Sequence, residues 1–327
     1  YPFVDTRGEA FDYTRHITFN DDVAGENIKF LIMAAQTMGD KRVMDPLKRA
    51  MDCFKATQQA KPQAAWGLQH DVKSLKPVGA RTYEPEAFVT HTTANNISQL
   101  MNFYELTGDR SYLERCGEAL DWLDSVKLPG GVANERRSHP TFVEIGTNKP
   151  LYVHRRGSNV VNGAYYVTDQ LEGSITHYSP TRLVRTEQLR SRLAKLQATS
   201  PEDASRHSPI KASQPLPRYF TLQNIEVSDL NSNRGSGAMD APTEERVGKI
   251  IADLNAAGYW ATPLTATSNP YTGMPAPTRP PAGEPYATTR VGDSTDTSPY
   301  ITDDPPTGIS VGTYIQNMAV LSQYLAG

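Results

Sequence analysis

Cysteine is scarce in this sequence: Cys53 and Cys116 are the only two, and both fall inside helical patterns rather than at the spacing of a metal knuckle. That excludes a disulfide-dense scaffold and a cysteine zinc centre, leaving two buried thiols or one bridge. Long apolar runs are missing as well, and none nears the roughly 18 residues that span a bilayer, so no membrane partner is expected. Neither sign of charge dominates, since 33 Lys and Arg face 36 Asp and Glu for a net charge of -3. The chain therefore has no general field for polyanions, and nucleic acid is not an expected partner. An acidic ligand would have to be met by local Arg and Lys clusters. Of the histidines, His70, His91 and His154 fit neither a zinc site nor a triad and read as structural. No secretory leader is visible and the first residue is Tyr1, so the chain reads as a processed form or a fragment.

What is present is helical periodicity. Ala24, Ile28, Leu31, Ile32, Ala35 and Met38 form one stripe behind an Asn20 or Asp21 cap, and Leu47, Ala50, Met51 and Phe54 form a second after Gly39-Asp40. The unit recurs. Ile97, Leu100, Met101 and Tyr104 precede Gly108-Asp109, and Leu113, Cys116, Leu120 and Leu123 follow it, at one constant offset from the first pair. Recurring helical hairpins predict a mostly α fold, an α-solenoid or an α/α toroid. Short strands are expected over residues 141–168, with Asn162-Gly163 as a hairpin turn. Helices are expected around Leu189, Leu193 and Leu196, from Thr243 to a stop at Gly258, and after a Ser310 cap. Residues 262–308, rich in Pro, Thr, Ser and Gly, are expected to form a surface excursion within a single domain over 1–327.

Three segments place charge beside aromatic or apolar residues at probable helix ends. In Asn20-Asp21-Asp22, adjacent carboxylates and an amide oxygen suit a hard cation, although on spacing alone helix capping is the simpler account of them. In Gly79-Ala80-Arg81-Thr82-Tyr83-Glu84-Pro85, Arg81 beside an acid can grip a carboxylate in a bidentate way or be an ordinary ion pair. His154-Arg155-Arg156, with Lys149 nearby, forms a basic cluster fit for an anionic substrate or simply a solvated face. The intervening 63–85 segment carries Trp66, Gln69, His70, Lys73 and Lys76, and is too long and too aromatic to be an idle connection.

Taken in order, His16-Ile17-Thr18-Phe19-Asn20-Asp21-Asp22-Val23, Ala65-Trp66-Gly67-Leu68-Gln69-His70-Asp71 and Ala80-Arg81-Thr82-Tyr83-Glu84-Pro85 resemble the catalytic domain of polysaccharide lyase family 10. These are pectate lyases with an α/α toroid. The likeness continues through residues 107–123 and 142–157, covering about the first half of the chain. It implies calcium-assisted anti β-elimination on polygalacturonate, yielding 4,5-unsaturated uronides. Asp21 resembles the calcium-binding aspartate with Asp22 beside it, Arg81 the arginine proposed as base, and Arg155 an arginine that binds the substrate carboxylate. Arg156, Tyr83, Trp66 and Lys76 are expected at the substrate, and Asn20 and Glu84 in support.

Two departures stand out. Arg156 occupies a position where the family tends to have an acid, and the family's earlier toroid helices have no counterpart before Tyr1. A truncated, incomplete barrel is therefore expected. The resemblance also implies calcium as cofactor, an acidic polysaccharide as partner, a monomer, and a secreted or periplasmic location. Rival readings are a non-catalytic uronate-binding protein, a lyase for another polyuronate such as glucuronan, and a hydrolase using Asp21 and Glu84 as acid and base.

Overall fold

The computed structural model describes residues 3–4, 10–11, 15–37, 39–81, 83–130, 132–133, 136–156, 164–175, 179–211, 242–263 and 307–326. The chain divides into two compact units, one of Tyr1–His154, Tyr165–Pro215 and Asn224–Gly235, the other of Arg155–Ala164, Leu216–Gln223 and Ser236–Gly327.

In the first unit the strands are β1 (Phe3–Val4), β2 (Ala10–Phe11), β3 (Ile17–Thr18), β4 (Gln69–His70), β5 (Pro77–Val78), β6 (Phe88–Val89), β7 (His139–Pro140), β8 (Phe142–Val143), β9 (Pro150–Arg156), β10 (Ala164–Thr168) and β11 (Thr181–Arg182), the ends of β9 and β10 reaching into the other unit. Its helices are α1 (Val23–Thr37), α2 (Met44–Thr57), α3 (Thr90–Thr107), α4 (Cys116–Ser125), α5 (Thr186–Ala198) and α6 (Pro201–Ala204). The fold is mostly α with short strands and loops. Helix α1 packs on α2, α2 on α3, α3 on α4 and α5, and α4 on α5.

The repeat read from the sequence is real at atomic level. Gly39 and Gly108 both take the left-handed conformation, with φ of 62° and 78°, which ends a helix without a Cβ penalty. Asp40 and Asp109 then each accept a backbone N–H two residues on, from Arg42 and Ser111. Each opens a 3-10 turn, Lys41–Val43 and Arg110–Tyr112, ahead of the next helix. Edge-on aromatic contacts run through this core: Phe19 to Phe54 at 4.9 Å, Phe54 to Phe103 at 5.2 Å and Phe103 to Tyr112 at 5.6 Å. Each such pair is worth about 0.5–1.5 kcal/mol beyond the area it buries.

The start of α1 departs from expectation. Asn20–Asp22 form a 3-10 turn in which Asp21 and Asp22 have φ of 54° and 57°, so neither continues or caps the α-helix in the expected way. Left-handed backbone at a non-glycine residue costs roughly 1–2 kcal/mol and persists only where surrounding contacts enforce it.

Two small sheets settle the layout of the 63–89 segment. Strands β3, β4 and β5 lie antiparallel in that order, with Ile17 opposite His70 and Gln69 opposite Val78. Strands β10, β9, β8 and β6 form a second sheet. The expected Asn162-Gly163 turn lies outside the described residues, although the strands on either side of it are neighbours in this sheet. Cys53 and Cys116 are free thiols, and burial pushes Cys116 up to about 12.

The second unit contains α7 (Glu244–Ala252), β12 (Ala261–Pro263), β13 (Thr307–Ile309) and α8 (Val311–Ala326). Thr243 caps α7 through the Arg246 N–H, and Ser310 accepts the Thr313 N–H at the start of α8 as expected. Helix α7 stops at Ala252, before Gly258. The last helix packs on α7 through Val247, Ile250 and Val320. Most of the expected excursion, residues 264–306, lies outside the described residues.

Candidate active site

The short sheet β3-β4-β5 assembles the site. Strand β3 delivers Phe19 into the core, where it is 8% exposed and bonded through its N–H to Leu68 O, so Asn20 and the acidic turn emerge at a fixed place. Strand β5 leads into the turn that carries Arg81, and β4 between them presents Gln69. His70 locks β4 from below: its Nε2 accepts the Gly67 N–H, its Nδ1 lies 2.9 Å from Leu75 O, and burial lowers it to about 4. It is a neutral structural histidine, as its sequence context suggested. Gly67 is required there, because a Cβ would lie 2.8 Å from Pro77 Cβ and 3.0 Å from Ala87 O.

Glu84 is the hub. Its side chain is 1% exposed. Oε1 accepts from Arg81 Nη2 at 2.6 Å, from Arg81 Nε at 2.9 Å and from Asn20 Nδ2 at 2.9 Å. Oε2 accepts from the Arg81 backbone N–H at 3.0 Å and from Gln69 Nε2 at 3.5 Å. A buried carboxylate is tolerated when it is matched by charge and donors in this way. Arg81 keeps 30% of its side chain exposed, sits 3.6 Å from Asp21 Oδ2, and lies over the Tyr83 ring at 5.4 Å. Tyr83 in turn meets Tyr165 at 6.0 Å, both resting on an apolar patch of Leu68, Ala87, Val89, Phe142 and Val153.

Asp21 is 73% exposed at its side chain. Asp22 is half-buried, and burial raises its carboxyl above the ordinary value while Lys29 partly offsets the effect. Its carboxylate fills the space over Gly25, where a Cβ would be 2.2 Å from Asp22 Oδ1 and 3.1 Å from Gln99 Nε2. The donor chemistry fits a hard cation, with two carboxylates on a constrained turn. The Asn20 Oδ1 accepts the Asp21 N–H. Among the described residues no group of three or more His, Cys, Asp or Glu side chains converges as a metal cage.

The structure thus gathers Asn20, Asp21, Arg81, Tyr83 and Glu84, with Asp22 adjoining. Trp66 and Lys76 lie elsewhere in the same unit. Trp66 is fully buried and donates its indole N–H to Phe54 O at 3.0 Å and Thr57 Oγ1 at 3.2 Å, so the expected substrate contact is corrected to a core role. Lys76 is exposed at the far end of β5 from Arg81. Arg155 is half-buried and Arg156 exposed at the end of β9, in the segment grouped with the second unit. Gln69, Gln99, Gly25 and Tyr165 were not anticipated as site residues. The signal for Gln99 was available: Thr92, Asn96 and Gln99 are polar residues at helical spacing, on a helix that also buries Ile97, Leu100, Met101 and Phe103.

Against known proteins, the model of the pectic acid lyase family matches residues 1–170, just over half of the 327. The chain belongs to that family. The pectic acid lyase match takes in the whole Asn20–Glu84 cluster and β9, and ends within the segment after β10. No curated protein matches the chain. No helix among the described residues is long and apolar enough to cross a membrane.

Proposed function

We propose that this protein is a family 10 polysaccharide lyase, built on part of an α/α toroid, that cleaves pectate outside the cell by anti β-elimination. The observation that carries the reading is the partly exposed Arg81 side chain, fixed by buried Glu84 beside the Asp21 carboxylate, within the pectic acid lyase match. A guanidinium held in place by a buried carboxylate is suited to a uronate carboxylate.

In this reading Arg81 binds the carboxylate of the uronate to be cleaved and stabilises the charge that spreads onto it as the C5 proton leaves. A base takes the C5 proton, the electrons of the C5–H bond become the C4–C5 double bond, the C4–O bond breaks, and the departing sugar oxygen takes up a proton. Asp21 and Asp22 would hold calcium, which when bound supplies further positive charge against the same carboxylate. Tyr83 and Tyr165 offer aromatic faces to a sugar ring beside Arg81. Arg155 and Arg156 are assigned to further uronates of the polymer.

The test is ultraviolet absorbance of unsaturated product from polygalacturonate at alkaline pH, with calcium and with chelator, for wild type and Arg81→Ala. A calcium-dependent signal lost in the variant supports the reading. Saturated products would point to a hydrolase, and binding without cleavage to a uronate-binding protein.

A further inference from the structure

A small apolar pocket borders the Arg81 turn, with walls that come from strands β8 and β9. Phe142 on β8 stands opposite Leu151 on β9, and Val153, two residues on, projects to the same face of the sheet as Leu151. The Ile175 N–H donates to Val153 O at 2.8 Å, and Pro180 O accepts the Thr141 N–H at 2.9 Å, so both later segments are tied against this sheet. Phe142, Leu151, Val153, Ile175 and Pro180 line the pocket together with Tyr83. The Tyr83 ring is the one over which the Arg81 guanidinium lies at 5.4 Å. The pocket is partly open and has room for one group the size of a water molecule or a methyl. Among the described residues no charged side chain lines it. One tyrosine therefore borders both a cation suited to a carboxylate and a space suited to none.

We propose that this pocket receives the methyl of an acetyl ester, carried on a hydroxyl of the uronate bound at Arg81, so that the enzyme prefers O-acetylated stretches of its polymer. The proposal rests on the lyase reading and deepens it. An unsubstituted uronate offers hydroxyls and a carboxylate at its edges, and either one placed in this pocket loses its water without gaining a charged partner. The terminal methyl of a small ester loses nothing there and leaves water. A methyl ester on the carboxylate at Arg81 is the wrong occupant, because it removes the charge that the guanidinium binds. An acetyl ester on a ring hydroxyl keeps that carboxylate free. Since Tyr83 borders both places, carboxylate and ester can belong to one sugar. Burial of one methyl favours the acetylated substrate by up to about fourfold.

The test is the ratio of kcat/KM on O-acetylated polygalacturonate to kcat/KM on the unsubstituted polymer, read from the absorbance of unsaturated product. Wild type, Ile175→Phe and Ile175→Ala are compared, and a ratio taken within one protein does not depend on how much of it folds. Wild type should give a ratio above one, up to about four. Ile175→Phe, which fills the pocket, should bring the ratio below one, and Ile175→Ala, which opens its wall, should lower it toward one. A wild-type ratio of one or less, or a ratio that Ile175→Phe leaves unchanged, would overturn the proposal. Polymer methyl-esterified to the same extent forms the third arm. A preference for it greater than that for the acetylated polymer would also overturn the acetyl assignment.

A second readout does not depend on turnover. An O-acetylated galacturonic acid monosaccharide has no sugar at O4 to lose, so it can be held with the protein in calcium. In saturation-transfer NMR its acetyl methyl should receive the strongest transfer from wild type and a much weaker one from Ile175→Phe. A methyl signal no stronger than those of the ring protons would refute the pocket's role. If no polymer yields unsaturated product, the lyase reading fails, while this signal still decides whether the pocket takes the ester.

Discussion

Arg81 Nη2 lies 2.6 Å from Glu84 Oε1, and the glutamate side chain that receives it is 1% exposed while the arginine side chain keeps 30%. The pair is therefore asymmetric: the acid is sealed and the cation looks out. Removing the acid leaves the cation without its anchor, whereas removing the cation leaves a buried carboxylate without its charge partner. Arg81→Ala is thus expected to lose lyase activity by at least about 10²-fold and to lower stability by on the order of 3 kcal/mol. Steady-state rates and urea unfolding read the two effects separately, and an unaltered rate would remove Arg81 from the reaction.

Gly25 makes room for the Asp22 carboxylate, since an added Cβ would lie 2.2 Å from Oδ1. Gly25→Ala should displace that carboxylate and weaken calcium binding, with little effect on the Arg81–Glu84 pair. Calorimetric titration with calcium checks it. Wild-type affinity in the variant would place the cation elsewhere.

Trp66 is corrected to a core residue, so Trp66→Phe should cost about 1–2 kcal/mol through loss of the indole N–H bonds to Phe54 O and Thr57 Oγ1. The KM for polymer should stay at the wild-type value. A raised KM at unchanged stability would restore the substrate role that its sequence context suggested.

His70 is lowered from 6.5 to about 4 by burial. In the unfolded chain it takes up a proton near the ordinary value, and in the folded protein it resists. Stability is therefore full above about pH 6.5 and declines as the pH falls from there toward about 4, by up to about 3 kcal/mol from this residue. Melting curves across that window should show the decline, with a shallower slope in His70→Gln. Equal slopes would assign the acid sensitivity to other groups.

The helical hairpins were legible because their apolar stripes and the Gly-Asp pairs obey local rules that tertiary contacts did not override. The Arg81–Glu84 pairing was legible too, since three residues across a turn bring the two side chains together. The link from Glu84 to Asn20 was not. It depends on strands β3, β4 and β5, each two residues long, and two residues hold no alternation to read. The burial of Trp66 escaped for a related reason, because an irregular segment has no period to say which side faces inward. The positive φ of Asp21 and Asp22 ran against residue type, and such strain is set by surrounding contacts rather than by the local sequence.

The central claim is an elimination, and the mass spectrum of the products from polygalacturonate tests it most directly. The account predicts that every oligomer with a newly made non-reducing end is lighter by one water than the corresponding saturated oligogalacturonide, the fragment with the polymer's original non-reducing end alone keeping the saturated mass, and that these products form in calcium and are absent in chelator. Products solely of the full saturated mass would contradict it and make the enzyme a hydrolase.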